Sequence, residues 1–300
     1  MKILLATDGS ETARAALDFL LRFPLPEGSE IDLLSVTDHH HLPPITRDDL
    51  TREQRQAIGE TERAVRQDAE RILAQAAERV RGAGRPGSTE VRIGHPAEEI
   101  RLAAAEHGAE LIVLGSHGHR GLRRLILGSV SGSVLQYADC SVLIVRPRTE
   151  GQAPAPDGRL RILLCLDGSA PAQKAIELCA GLPLRGRAAV TLLTVMPLIT
   201  LYRQDIRQRL SWHWQEQKAA ATADLEKAAA IIRPTAEDVS TLLREDADEA
   251  GAVLAAAQAL GSDLIVLGHK GRSAIERVLL GSVTGRIAAQ APCAVLAVRD

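Results

Sequence analysis

Aromatic side chains are scarce, with two Trp, two Tyr and two Phe making up 2% of the 300 residues. Proteins that hold single-stranded nucleic acid use several such rings as stacking platforms, so the scarcity argues against that class. Net charge is nearly absent as well, with 36 Lys and Arg against 38 Asp and Glu. No global field then draws the chain to nucleic acid or to an anionic membrane, and any anion site has to be local. No stretch approaches the roughly 18 apolar residues of a membrane span, and the apolar start Ile3-Leu4-Leu5-Ala6 meets Asp8-Gly9 too soon for a secretory signal. These absences predict a soluble, cytoplasmic protein with no nucleic-acid or membrane partner. The four cysteines, Cys140, Cys165, Cys179 and Cys293, show no CxxC spacing, which predicts buried reduced thiols and no metal site. The chain also lacks a Walker Lys-Ser/Thr, a Ser-Gly-Gly-x-Asp-Ser loop and a nucleophile with a paired base. No dedicated enzyme is expected, and no catalytic residue is assigned.

What is present is repetition. Ile3-Leu4-Leu5-Ala6-Thr7-Asp8-Gly9-Ser10 returns as Ile162-Leu163-Leu164-Cys165-Leu166-Asp167-Gly168-Ser169. Leu33-Leu34-Ser35-Val36 returns as Leu192-Leu193-Thr194-Val195, and Leu111-Ile112-Val113-Leu114-Gly115 as Leu264-Ile265-Val266-Leu267-Gly268. A repeat this long is a domain duplication, because each half has enough elements to close its own core. The expected division is one domain over 1–147, a linker rich in Pro, Gly and Ala over 148–158, and a second domain over 159–300. Within each half, short aliphatic runs alternate with segments of helical period, the pattern of an α/β domain whose parallel sheet is covered on both faces. Strands are predicted near 2–7, 31–36, 89–93, 110–115 and 141–145, with four helices between them. Ala13, Ala16, Leu17, Leu20 and Leu21 form one apolar stripe, and Val65, Ala69, Ile72, Ala76 and Val80 a second. The last strands, Val142 to Val145 and Val295 to Val298, are apolar, and an open edge invites aggregation. They are expected to bring the two halves together as a pseudo-dimer, while a homodimer of whole chains stays open.

The sharpest chemical signal follows the fourth strand. Gly115-Ser116-His117-Gly118, nine residues, then Gly128-Ser129 recurs at the same spacing as Gly268-His269-Lys270-Gly271, nine residues, then Gly281-Ser282. Glycine at a strand exit permits positive φ and lets backbone N–H groups approach an anion. A helix opening at Gly128-Ser129 would aim its unpaired N–H groups at the same oxygens. The constellation predicts phosphate binding. Asp8-Gly9-Ser10 and Asp167-Gly168-Ser169 sit where the first strand of each half ends. A capping turn explains the Ser, whereas a carboxylate at the end of a central strand lies where open α/β sheets bind ligands.

These features resemble the universal stress protein family: the early strand ending in Asp, the Gly-x2-Gly-x9-Gly-Ser signature and the closing Ala-Pro-Cys-Ala-Val-Leu-Ala-Val at 291–298. The resemblance covers nearly the whole chain apart from the linker and the segments around 38–60 and 197–220. It implies two doubly wound domains of strand order 3-2-1-4-5. It also implies ATP as the ligand, with Mg. Asp8 and the main chain at Val36 would meet the adenosine end, and Gly115, Gly118, Gly128 and Ser129 would hold phosphates. The matching positions of the second half are Asp167, Val195, Gly268, Gly271, Gly281 and Ser282. The implied function is that of a nucleotide-responsive regulatory protein of the stress response with at most slow ATP hydrolysis. The alternative is a scaffold that acts by assembly and whose second site is degenerate.

The halves differ where the third helix begins. The first has Gly94-His95-Pro96 and the second Ala247-Asp248-Glu249, and the extra carboxylates, with Asp246, are expected to weaken polyanion binding in the second. His39-His40-His41 cannot all converge on one ion and reads as a solvated loop. Arg120, Arg123 and Arg124, and Lys270, Arg272 and Arg277, are candidate phosphate partners or surface charge. If Trp212-His213-Trp214 is helical, its two rings diverge by about 200°. Ordinary partial burial is then the expectation and an interface role the alternative.

Overall fold

Runs such as Ile3-Leu4-Leu5 and Leu111-Ile112-Val113 are short and uniformly apolar, as strands covered on both faces must be. The computed structural model describes residues 1–38, 51–117, 127–147, 157–198, 204–271 and 280–299, with 204–211 described for the backbone alone. The described chain divides into two compact units, one of Met1–Arg22 with Glu27–Pro147, the other of Arg148–Asp300 with Phe23–Pro26. In the first unit the elements run β1 (Lys2–Ala6), α1 (Glu11–Arg22), β2 (Glu30–Thr37), α2 (Arg52–Gly82), β3 (Thr89–Ile93), α3 (Pro96–His107), β4 (Leu111–Gly115), α4 (Ser129–Tyr137) and β5 (Ser141–Val145). The second unit repeats the series as β6 (Leu160–Cys165), α5 (Ala170–Ala180), β7 (Ala188–Pro197), α6 (Gln204–Ile232), β8 (Asp238–Asp246), α7 (Glu249–Ala259), β9 (Leu264–Gly268), α8 (Ser282–Gln290) and β10 (Ala294–Val298).

All strand pairs within each unit are parallel, in the order β3-β2-β1-β4-β5 and β8-β7-β6-β9-β10. This is the predicted 3-2-1-4-5 order in both. The register repeats too: Ile3 faces Leu111 across β1 and β4, and Ile162 faces Leu264 across β6 and β9. In each unit the chain winds outward in both directions from the pair formed by the first and fourth strands. A crevice therefore opens at their carboxyl ends, where ligands of doubly wound sheets bind.

Local signals set the helix ends. Thr51 and Gln54 form a capping box at the start of α2. Gly108, at φ 63°, ends α3 in the left-handed conformation. The apolar stripe of α2 is Ala69, Leu73, Ala76 and Val80. Val65, assigned to that stripe from its spacing, is 41% exposed. The helix is 31 residues long and none of its residues before Ala69 is buried, so helical period there does not imply burial. Trp212 is exposed and Trp214 partly buried, its indole N–H donating to Glu245 at 3.3 Å.

A polar network occupies the end of the first sheet opposite the crevice. His107, the last residue of α3, places Nδ1 2.9 Å from Asp32 of β2 and Nε2 3.1 Å from Glu90 of β3. The hydrogen bond to Asp32 is the main cause holding the imidazole above its usual range, with Glu90 adding to it. Burial would raise Asp32, but hydrogen bonds from Ser88 and His107 outweigh it and hold the carboxyl low; Arg92 chiefly does the same for Glu90. In the second unit the corresponding strands carry the neutral pair Thr191 and Ser240, 3.0 Å apart, and Leu260 stands where His107 does. An imidazole raised on folding stabilises fully below its unfolded value of about 6.5 and loses that contribution as pH rises through its folded value. Wild-type thermal stability should therefore fall above neutrality relative to His107→Leu, by roughly 1 kcal/mol because the partners are part-exposed. Melting curves from pH 6 to 9 test this, and parallel pH profiles would remove the network from the stability account.

Candidate functional site

The two Asp-Gly-Ser turns have one geometry. Asp8 Oδ1 accepts from the Ser10 N–H at 3.0 Å, and Asp167 Oδ1 from the Ser169 N–H at 2.9 Å. Gly9 and Gly168 both have φ of 75°, a conformation that a Cβ disfavours, and this folds the carboxylate back over the turn. Ser10 Oγ then caps Ala13 N at 3.2 Å and Ser169 Oγ caps Ala172 N at 3.3 Å. Capping thus accounts for both serines and for one oxygen of each Asp.

The strand-exit glycines work differently from expectation. None of Gly115, Gly128, Gly268, Gly271 and Gly281 has positive φ. They are needed for close approach. A Cβ on Gly115 would lie 2.7 Å from Thr12 C and 2.9 Å from Ala13 N, and one on Gly268 3.0 Å from Ala172 N. The fourth strand of each unit therefore ends in contact with the first turn of its first helix. Hydrogen bonds repeat this closure. Ser116 N donates to Val145 O at 2.9 Å and His269 N to Val298 O at 2.9 Å; Gly128 N returns to Ser116 O at 2.9 Å and Gly281 N to His269 O at 3.0 Å. Ser131 Oγ donates to Ser116 O, and Thr284 Oγ1 to Gly268 O, each at 2.9 Å. The Thr12 hydroxyl donates to His117 O, and Ser169 Oγ to Lys270 O at 3.4 Å, which ties the Asp turn to the glycine loop.

As expected, α4 and α8 open at Ser129 and Ser282. Their caps, Gly128 and Gly281, supply no side-chain hydrogen bond, so the amides of each first turn have no cap side chain over them. In the second unit this arrangement encloses a cavity of about 830 Å³. Asp167, Val195, Gly268, Gly271, Gly281 and Ser282 all line it. A volume of this order is typical of small-molecule sites. In the first unit the hydrogen bonds just described bring Gly115, Gly128 and Ser129 close to the Asp8 turn, and half-buried Val36 lies on the neighbouring strand β2. Gly118, Arg120, Arg123, Arg124, Arg272, Arg277 and His39 to His41 lie outside the described residues; Lys270 lines the cavity.

A model of the universal stress protein family matches this chain over residues 1–146 and again over 158–299. The chain belongs to the universal stress protein family. It is 34% identical over 145 residues to the universal stress protein YxiE of Bacillus subtilis, an alignment spanning 48% of this chain and 98% of that one. A universal stress protein of Mycolicibacterium smegmatis is 33% identical over 199 residues, 66% of this chain and 64% of its own. The crystal structure of a universal stress protein from Archaeoglobus fulgidus superposes with a TM-score of 0.66 at 20% identity, covering 99% of this chain and 98% of that one, a likeness of fold.

The charges around the second cavity of this tandem universal stress protein correct one expectation. Asp246, Asp248 and Glu249 are held differently, and of the three Glu249 is the one in the cavity lining. Asp248 caps α7 through Gly251 N at 3.1 Å and is clasped by Arg286 of α8 at 2.5 and 2.8 Å. Asp246 accepts the Asp248 N–H at 2.8 Å. Of the three, Glu249 lines the cavity, and burial, then the charge of Asp167, raise its carboxyl above the usual range. Sequence reasoning had no route to Arg286, which sits where the first repeat has Ser133. It also missed the contribution of α6, which lends Gln217, Asp224 and Lys227 to the cavity. Matching the buried Leu225, Ala228 and Ile232 of α6 to Leu73, Ala76 and Val80 of α2 sets Asp224 opposite Ile72. Ile72 instead packs on Gly9, its Cδ1 2.8 Å from where a Cβ would stand. Cys165 lines the cavity wall with its thiol pushed far up by burial, and burial lifts Cys179 to about 12. Neither is a nucleophile at neutral pH.

Proposed function

We propose that this universal stress protein binds ATP in each repeat and responds to it as a regulatory protein, with at most slow hydrolysis. The observation that carries the reading is the second-unit cavity, which gathers all six positions implied by the family resemblance around an uncapped helix start. Backbone amides at Ser282 and beyond would receive the phosphates, with the glycine loop allowing close approach. The second oxygen of Asp167 and the main chain at Val195 would take the adenosine end, since a carboxylate accepts ribose or base hydrogen bonds and repels phosphate. Gly115, Gly128, Ser129, Asp8 and Val36 take the same parts in the first repeat. No group of three His, Cys, Asp or Glu side chains suited to a metal occurs among the described residues. Mg would arrive on the nucleotide, because the ion favours phosphate oxygens and keeps several of its waters.

Among the described residues no helix is long and apolar enough to cross a membrane. Denaturing the purified chain and identifying released small molecules, followed by ATP titration, tests the reading. Co-purified ATP or ADP, or a saturable titration, supports it; neither would favour the assembly scaffold. Steady-state phosphate release is expected to stay far below the enzyme median of about 10 s⁻¹, because the sequence offers no Walker Lys-Ser/Thr and no Ser-Gly-Gly-x-Asp-Ser loop. Turnover near that median would show a catalytic group in the site.

A further inference from the structure

Glu249 is the first residue of α7, the place that Pro96 holds in α3. A proline there has no charge; a glutamate brings a titratable group into the cavity that holds Asp167, Gly268, Gly271 and Gly281. The Asp167 carboxylate is anchored, one oxygen on Ser169 N and the other 2.9 Å from where a Cβ on Gly271 would stand. It cannot swing away from an incoming anion without breaking the turn. Among the described residues, two further charge pairs stand near the cavity: on α6, Asp224 and Lys227 pair at 2.9 Å, and behind Glu249 the Asp248 charge is matched by Arg286. Lys270 contributes a positive charge from the glycine loop, and Cys165 a thiol kept neutral by burial. A charged Glu249 would thus add a second fixed carboxylate to the same cavity as Asp167, and a polyphosphate would bring several more negative charges.

We propose that Glu249 sets the pH dependence of the second site, taking up a proton when a polyphosphate nucleotide binds there. This rests on the nucleotide reading above. The dipole at the start of α7 favours the charged carboxylate, yet burial and then the Asp167 charge hold the carboxyl above its usual range. The bound anion pushes in the same direction. Linkage then fixes the sign: affinity rises as pH falls through the Glu249 titration. The first repeat is an internal control, because Pro96 has no proton to take up.

The test is calorimetric titration of the full chain with ATP at pH 6 and pH 8, in two buffers of different ionisation enthalpy, for wild type, Glu249→Gln and Asp248→Asn. ATP's own protonation cancels when variants are compared under one condition. In wild type the second-site event should take up more protons than in Glu249→Gln. The Gln variant should bind several-fold more tightly than wild type at pH 8, with a smaller gain at pH 6. Asp248→Asn should keep the wild-type linkage, since its charge is already matched. Equal proton uptake and equal affinity in wild type and Glu249→Gln would overturn the proposal and leave the nucleotide reading standing. Absence of a second-site event in every variant would overturn both.

Discussion

Titrated with ATP, the wild-type chain should show two unequal binding events, with Gly128→Val abolishing the tighter and Gly281→Val the weaker. Both substitutions act at the helix start that would receive the phosphates. A Cβ at Gly128 would lie 3.1 Å from Ser116 O and 3.4 Å from His117 Cα, and one at Gly281 3.3 Å from His269 O. Valine adds branched bulk against backbone that cannot move without undoing the Gly128 N–Ser116 O or Gly281 N–His269 O closure. The backbone cradles are alike in the two repeats, so the inequality must come from what surrounds them. We attribute it chiefly to Glu249, which lines the cavity where the first repeat has Pro96, whereas Asp248 is paired with Arg286 and Asp246 lies outside the lining. One added carboxylate lining the same cavity as a polyanion is expected to weaken its binding by about tenfold. Calorimetry on the three proteins checks this. Two indistinguishable events, or the opposite assignment, would remove the asymmetry while leaving ATP binding intact.

Gly115→Ala should destabilise the first domain by roughly 1–3 kcal/mol, the usual cost of forcing extra volume into packed structure. The new methyl would meet Thr12 C and Ala13 N at 2.7 and 2.9 Å, and these belong to the backbone of the α1 entry, not to a flexible side chain. The strand end and helix start would have to part, carrying the Thr12 to His117 hydrogen bond with them. Gly132 supplies the contrast. It lies inside α4, and its Cβ would meet Leu127 Cδ2 at 3.7 Å, an ordinary contact. Gly132→Ala should therefore stabilise by about 0.4–1 kcal/mol, since alanine has less chain entropy to lose. Urea unfolding of both variants gives opposite signs on this view. Two shifts of the same sign would show that local crowding does not decide the role of Gly115.

Much of the architecture was legible because duplication prints the same message twice. The recurrence of Leu111 to Gly115 as Leu264 to Gly268 located the fourth strand, and the Gly-x2-Gly-x9-Gly-Ser spacing located the helix starts at Ser129 and Ser282. Ser10 and Ser169 read correctly as caps because capping is local chemistry. The glycines were located but misexplained. Positive φ belongs to Gly9 and Gly168, whereas Gly115 and Gly268 are small because another chain segment touches them. A torsional need is visible in a neighbouring Asp and Ser; a steric one depends on a segment about a hundred residues away. Val65 misled for a related reason, since a helical stripe says which residues share a face but not how much of that face is covered.

Sequence alone determined the two-domain α/β organisation, the strands and the position of each glycine loop, since hydrophobic period, turn chemistry and internal repetition are properties of neighbouring residues. Only tertiary structure decided which charges bear on the second site. Asp248 and Glu249 are adjacent in the chain, yet one is clasped by Arg286 from α8 and the other lines the cavity with Asp167. Electrostatic interactions depend on distance and burial in three dimensions, so two adjacent carboxylates that read alike in sequence act differently once the helices pack.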